Sequence, residues 1–154
     1  MAQANPTCPV CEHGTLRPST YVAEIGHGEQ RLRVSDLECY ECADCGADPV
    51  FPDQARRNHR RYQDARRRAD GLLTGEEIAC IREKLGLTQR QSAALFGGGT
   101  NAFSKYERGD VTQSVAMDRL MRMLDAHPDY LAELQAQAKR APLDIPAKAA
   151  PAHS

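Results

Sequence analysis

Two Cys-x-x-Cys pairs set thirty residues apart constrain this chain more than any other feature. They are Cys8-Pro9-Val10-Cys11 and Cys42-Ala43-Asp44-Cys45. Each pair is a turn that presents two thiolates to one point, and two such turns make the four-sulfur tetrahedron that zinc prefers. Gly46 follows the last cysteine, as suits a knuckle where backbone N–H groups approach sulfur and a side chain would crowd them. Cys39 forms a further Cys-x-x-Cys with Cys42, so Cys39/Cys42 stands as an alternative second pair. Cys42/Cys45 is preferred because of Gly46 and because Cys39 falls on the strand pattern Leu37-Cys39. A set of four cysteines leaves no open coordination position, which favours one structural Zn2+ over a catalytic one. The rival is a redox switch in which oxidised pairs release the metal. His13 and His27 can substitute as ligands, although loop histidines are more often bystanders. Cys80 is alone and distant, and reads as an inert helix thiol.

Between the cysteine pairs lie two alternating runs, Thr20–Ile25 and Gln30–Val34, on either side of Gly26-His27-Gly28. That pattern predicts a β-hairpin. A segment of about 50 residues with so little apolar mass is not expected to fold without a staple. The whole chain has 154 residues, 41% hydrophobic and 27% charged, with 5% aromatics and no Trp. This allows one compact domain or two small ones and excludes a large multidomain enzyme. No apolar run reaches the length of a membrane span, and Met1–Pro6 lacks a basic-then-apolar signal, so a cytoplasmic chain with no membrane partner is expected.

The net charge of −1 hides a segregation. Residues 1–50 carry three basic and eight acidic side chains, −5, whereas residues 51–73 carry seven Arg against three Asp, +4. Residues 74–134 come to −2 and residues 135–154 to +2. An acidic head, a basic connector and a near-neutral body predict separate modules with different partners. The connector is helix-compatible from Asp53, a candidate cap, to Ala69, with Gly71 to end it. Its apolar positions, Ala55, Tyr62 and Ala69, form only a narrow stripe, and arginines occupy most of the rest. Such a helix is either a solvated linker between domains or an arm that contacts nucleic-acid phosphates.

The body predicts five helices. Thr74-Gly75-Glu76-Glu77 and Thr88-Gln89-Arg90-Gln91 are both capping boxes. The first opens a helix with Ile78, Ile81 and Leu85 inward and Gly86 as its stop, the second a short helix through Phe96 with Ala93 and Phe96 inward. Gly97-Gly98-Gly99 makes a tight turn before a third helix from about Thr100 to Glu107, which buries Phe103 and Tyr106 and closes at Gly109. Ser114 is a candidate cap for a fourth helix (Met117, Leu120, Met121 and Leu124 inside), and Pro128 precedes a fifth carrying Leu131 and Leu134. Three helices in quick succession, with a tight turn before the third, are the layout that seats a recognition helix in the major groove. Burying Phe103 and Tyr106 exposes Asn101 and Lys105, four apart. Asn reads adenine bidentately and Lys reaches guanine acceptors. Thr100, Ser104 and Arg108 are better placed for phosphates or flanking bases, and Gln89 for the DNA backbone. The bland alternative is a helical bundle with polar surface residues.

Leu87-Thr88-Gln89, Phe96-Gly97 and Ser104-Lys105-Tyr106-Glu107-Arg108-Gly109 resemble the Xre-type helix-turn-helix family. The run from Phe96 to Glu107, with the Cys-Pro-Val-Cys and later Cys-x-x-Cys in the same order, is similar to the MqsA-type antitoxins over residues 7–135. That resemblance implies an N-terminal zinc domain that binds an mRNA-cleaving ribonuclease toxin (MqsR-like), and a C-terminal module that dimerises on a promoter palindrome. It places Asn101 and Lys105 where the family reads bases, and Cys8, Cys11, Cys42 and Cys45 where it holds zinc. Lys105 stands where Arg is familiar, and a Lys cannot make the planar fork of Arg.

The expected fold is therefore α+β: a small zinc-stapled β-hairpin domain (1–52), an Arg-rich linker helix (53–73) and a five-helix Xre-type helix-turn-helix domain (74–135). The Ala- and Pro-rich remainder (136–154) reads as a disordered tail. The expected function is that of an antitoxin and autorepressor, a homodimer on operator DNA through the last two helices, with Met117, Leu120, Leu124, Leu131 and Leu134 in excess of what one small bundle buries. No enzyme activity is expected, since no nucleophile–base pair and no open metal site are present. Rivals are a stand-alone zinc-finger regulator that senses metal or redox state, and an adaptor whose zinc domain recruits another protein.

Overall fold

A computed structural model describes residues 5–140. The expected disordered tail lies outside the described residues from residue 141 on, while residues 136–138 belong to a helix. Two long strands, β1 (Leu16–His27) and β2 (Gln30–Cys42), pair antiparallel, with Leu16 opposite Cys42 and His27 opposite Gln30. The hairpin is thus longer than the alternating runs predict, and its turn is Gly28-Glu29, one step beyond Gly26-His27-Gly28. Gly28, at φ +57°, supplies the left-handed residue that a two-residue hairpin turn requires. Halfway along, Ser35 and Asp36 stand between the pairs Tyr21–Leu37 and Ala23–Val34 where β1 has only Val22. This bulge holds Asp36 at φ +58°, a conformation Asp tolerates better than most residues.

Helix α1 (Pro52–Ala69) packs on β2. Its N-cap is Phe51, with Pro52 in the first turn, so Asp53 lies one position inside the helix and is not the cap. The Gln54 side chain accepts the Phe51 N–H at 2.9 Å and satisfies an otherwise orphaned donor. The helix ends at Gly71, φ +71°, as expected. Its inward face is not the Ala55–Tyr62–Ala69 stripe. Gln54, Asn58 and Arg67 are buried, and Ala55 is exposed. Asn58 accepts the N–H of Glu38 at 2.7 Å and donates to its carbonyl at 2.8 Å, so one amide replaces a strand neighbour. Arg57 and Arg61 both reach the Glu38 carboxylate, at 2.6 and 3.0 Å, and hold it below the usual carboxylate range.

Five further helices follow: α2 (Gly75–Lys84), α3 (Gln89–Phe96), α4 (Ala102–Arg108), α5 (Val115–Ala126) and α6 (Tyr130–Ala138). Both predicted capping boxes form, on Thr74 with Glu77 and on Thr88 with Gln91, and Ser114 caps α5. The core joins Leu73, Ile78, Ile81, Phe103, Met121 and Leu124. A second, smaller core holds Cys8, Leu16 and Cys42, with Tyr40 and Phe51 packed against it. No described helix is long and apolar enough to cross a membrane.

Candidate metal centre and nucleic-acid interface

The cysteine cluster is assembled by two similar turns at the open end of the hairpin. Glu12 N–H donates to the Cys8 carbonyl at 2.9 Å, and Gly46 N–H donates to the Cys42 carbonyl at 3.0 Å. Each turn then passes through the left-handed region, at Glu12 (φ +62°) in the first and Gly46 (φ +71°) in the second. The first turn is clipped to β1 by the Thr7–Thr15 bridge and the second to β2 by Cys42 N–H on the Ala47 carbonyl. The sulfurs of Cys8, Cys11, Cys42 and Cys45 all lie within 4.8 Å of one another. Cys8–Cys45 and Cys11–Cys42 are 3.7 and 3.8 Å apart, close to the ~3.8 Å edge of a tetrahedron built on ~2.3 Å zinc–sulfur bonds. Cys39 is buried on β2 opposite Ser19 and stands outside the cluster, its thiol pushed up chiefly by burial.

The electrostatics also fit a bound cation. Backbone N–H groups of His13 and Gly14 pull the Cys11 thiol down to about 6. At Cys45 the Ala47 N–H works in the same direction. Desolvation and the thiols of Cys42, Cys11 and Cys8 outweigh it and push that group up to about 12. Four adjacent thiols cannot all ionise unless a positive charge sits among them. Cysteine sulfur at this spacing fits zinc, which would have no open position left for a substrate.

Composition and spacing point to Gly46 as the crowded glycine, but the crowded one is Gly14. A Cβ on Gly46 meets nothing within 4 Å, and glycine is favoured there by its backbone angle. A Cβ on Gly14 falls 2.4 Å from Cys42 Sγ and 3.0 Å from Cys11 Sγ, while the Gly14 N–H donates to Cys11 Sγ at 3.3 Å. Neither histidine joins the cluster. His13 Nδ1 is 2.6 Å from the Cys11 carbonyl oxygen, and His27, at the far hairpin end, is 2.7 Å from Asp70 beyond α1.

The second candidate surface is α4 and its approach. Asn101 is the N-cap of α4 rather than a residue within a helix beginning at Thr100, and its side chain makes no capping bond. Asn101 and Lys105 are both exposed, whereas Phe103 is fully buried and Tyr106 half-buried. Thr100 is exposed beside three glycines that all have positive φ. Arg108 donates to Ser104 Oγ at 2.6 Å and to Asp110 at 2.8 and 3.0 Å. Gln89 donates to Glu107 Oε2 at 2.7 Å, and Glu107 in turn accepts from Arg82 at 2.6 Å, so α2, α3 and α4 are braced by one carboxylate.

Of the apolar residues expected to be in excess on the last two helices, Leu124 is buried within the domain and Met117, Leu120, Leu131 and Leu134 are half-buried. The exposed large apolar side chains of these helices are instead Val115, Met123 and Tyr130. Met123 and Tyr130 line an open cavity of about 270 Å³ with Leu120, Leu124 and Leu134. Periodicity missed both: Met123 because its neighbours Met121 and Leu124 carry the inward face, Tyr130 because it follows the Pro128 turn.

The model of the antitoxin component of bacterial toxin-antitoxin systems, MqsA, matches residues 6–135. The chain is also 27% identical over 129 residues to the antitoxin MqsA of Escherichia coli strain K12, covering 83% of this chain and 98% of the relative. A match that takes in both the cysteine cluster and the helical body places this chain in the MqsA antitoxin family.

Proposed function

We propose that this antitoxin neutralises an mRNA-cleaving ribonuclease of the MqsR type through its zinc-stapled head, and represses its own promoter as a helix-turn-helix dimer in the cytoplasm. The observation that carries the reading is the family match over residues 6–135, from the cysteine turns into α6. The modules of the proposal are the head (1–52), the Arg-rich linker that holds all but the first residue of α1 (53–73) and the helical domain (74–135). Cys8, Cys11, Cys42 and Cys45 would hold one Zn2+, whose chemistry there is to cross-link two turns and supply the fold that a bare hairpin lacks. The net −5 of residues 1–50 suits a basic partner, as RNA-cleaving proteins commonly are.

On the DNA side, Asn101 and Lys105 read bases. Both are exposed and without a side-chain partner among the described residues. Thr100, Ser104, Arg108 and Gln89 contact phosphates and flanking groups. Arg108 exchanges its bonds to Asp110 for a phosphate as it does so. Met123 and Tyr130 support a dimer seam along α5 and α6. A dimer of this type sets two α4 helices in successive major grooves about 34–36 Å apart, which calls for a palindromic site.

The test is co-expression. Reading frames adjacent to this gene are expressed in bacteria alone, with this chain, with its Asn101→Ala variant and with its Cys11→Ser variant. Growth arrest rescued by this chain and by Asn101→Ala, and not by Cys11→Ser, is the expected result. If neither neighbour is toxic, the antitoxin reading gives way to a stand-alone zinc-finger regulator. Rescue by Cys11→Ser would remove the head from the mechanism.

A further inference from the structure

The seven arginines of α1 do not form one uniform basic face. Six are exposed or half-buried, while Arg67 is 1% exposed and points into the helical domain. Its Nη2 donates to the carbonyls of Tyr106 at 2.8 Å and Val111 at 2.7 Å. Its Nη1 donates to Asp64 Oδ1 at 3.3 Å, and the same oxygen accepts the Gly75 N–H at 3.1 Å. One guanidinium therefore bridges the last turn of α4 and the loop beyond it, and through Asp64 reaches the start of α2.

The packing around that bridge leaves little slack. A Cβ on Gly75 would stand 2.5 Å from the Glu107 carbonyl oxygen. A Cβ on Gly109 would stand in ordinary contact with α1, 3.5 Å from Gln63 Cβ and 3.6 Å from Arg60 Cα, so α1 lies beside the turn that ends α4. A cation at the C-terminal carbonyls of a helix is also favoured by the helix dipole. By contrast α4 is only seven residues long, too short to hold its own direction by internal hydrogen bonds.

We propose that Arg67 is a positioning residue of the DNA-reading helix: α1 is part of the reading head, and the Arg67 guanidinium, together with the Glu107 brace to α2 and α3, sets the angle at which α4 presents Asn101 and Lys105. The inference rests on the reading of α4 as the base-contacting helix. Arg67 itself is buried and touches no DNA, so it governs discrimination between sequences and leaves phosphate attraction alone.

The experiment compares the full chain with Arg67→Met and Arg67→Lys. Met keeps the unbranched apolar stem and removes the guanidinium with its donors. Lys keeps the buried cation beside Asp64 but lacks the fork that spans two carbonyls. Circular dichroism establishes that each variant is folded. Binding is then measured, across a range of salt, to the duplex immediately upstream of this chain's own reading frame and to a scrambled duplex of equal composition.

The expected result is that preference for the upstream duplex falls about tenfold in Arg67→Met and less in Arg67→Lys. Affinity for the scrambled duplex and the salt slope stay at wild-type values. A folded variant of either kind with wild-type preference overturns the positioning role and leaves the DNA reading standing. A wild-type chain with no preference between the two duplexes overturns the DNA reading, and this inference with it.

Discussion

At the scale of single residues, the four-cysteine cluster depends as much on Gly14 as on the cysteines. Gly14→Ala forces a Cβ to 2.4 Å from Cys42 Sγ and 3.0 Å from Cys11 Sγ. Two fixed sulfurs cannot both withdraw and still meet one ion, so zinc per chain should fall well below one when measured by atomic absorption. Gly46→Ala should retain its zinc. It meets only the left-handed backbone cost of about 1 kcal/mol, and Glu12 already bears such a cost at the matching place in the first turn. Asp118 is a second single residue with a large share of the fold. Burial raises its carboxyl, but the Leu73 N–H and the Arg122 and Gln113 side chains outweigh that and leave it below the usual range. A depressed folded value means the stabilisation is complete above the unfolded value of about 3.9 and is lost as pH falls through the folded one. Asp118→Asn should therefore cost about 1–3 kcal/mol at neutral pH. Its melting temperature should approach that of the wild type as pH drops below about 4.

Among the elements, α1 is where the charge pattern of the sequence and the structure diverge most. Of its arginines, Arg57 and Arg61 serve Glu38, Arg56 pairs with Asp53 and Arg67 is buried. Arg60, Arg66 and Arg68 have no acidic partner among the described residues, and Arg60 shares a groove with Arg56, His59 and Arg108. If those three arginines reach DNA phosphates, replacing them by Gln should reduce the slope of log affinity against log salt by about 0.9 for each lost contact. An unchanged slope would make α1 a brace alone. The capping boxes of α2 and α3 were legible because Thr-x-x-Glu and Thr-x-x-Gln are local signals that need no tertiary partner. The inward face of α1 was not. A helix that docks through Gln54, Asn58 and Arg67 is made of residues that read as solvent-facing until the β2 backbone and the α4 carbonyls are placed against them. Gly14 was hidden for a related reason: its sequence neighbours give no hint that Cys42, from the other turn, closes over it.

For the whole molecule, the decisive feature is that two separate cores are joined by one polar helix. The small core has two of the four clustered cysteines among its buried residues, and a lone two-stranded hairpin is marginal at best in water. The larger core of α2 to α5 contains no clustered cysteine and shares no residue with the first. Chelation at neutral pH should therefore strip amide-exchange protection from β1, β2 and the first turns of α1, while the amides of α2 and α5 keep theirs. The last turns of α1 should remain protected as well, because Arg67 and Asp64 bind to the helical body and not to the hairpin. On this argument the chelated chain still prefers its promoter duplex, since the bridge that orients α4 survives, but it no longer rescues growth from the toxin. A regulator that senses zinc through its head would behave in the opposite way and lose promoter binding as the metal leaves. Binding to the upstream duplex before and after chelation, with exchange measured on the same samples, separates the two, because the antitoxin reading requires the hairpin to open while the preference for that duplex persists.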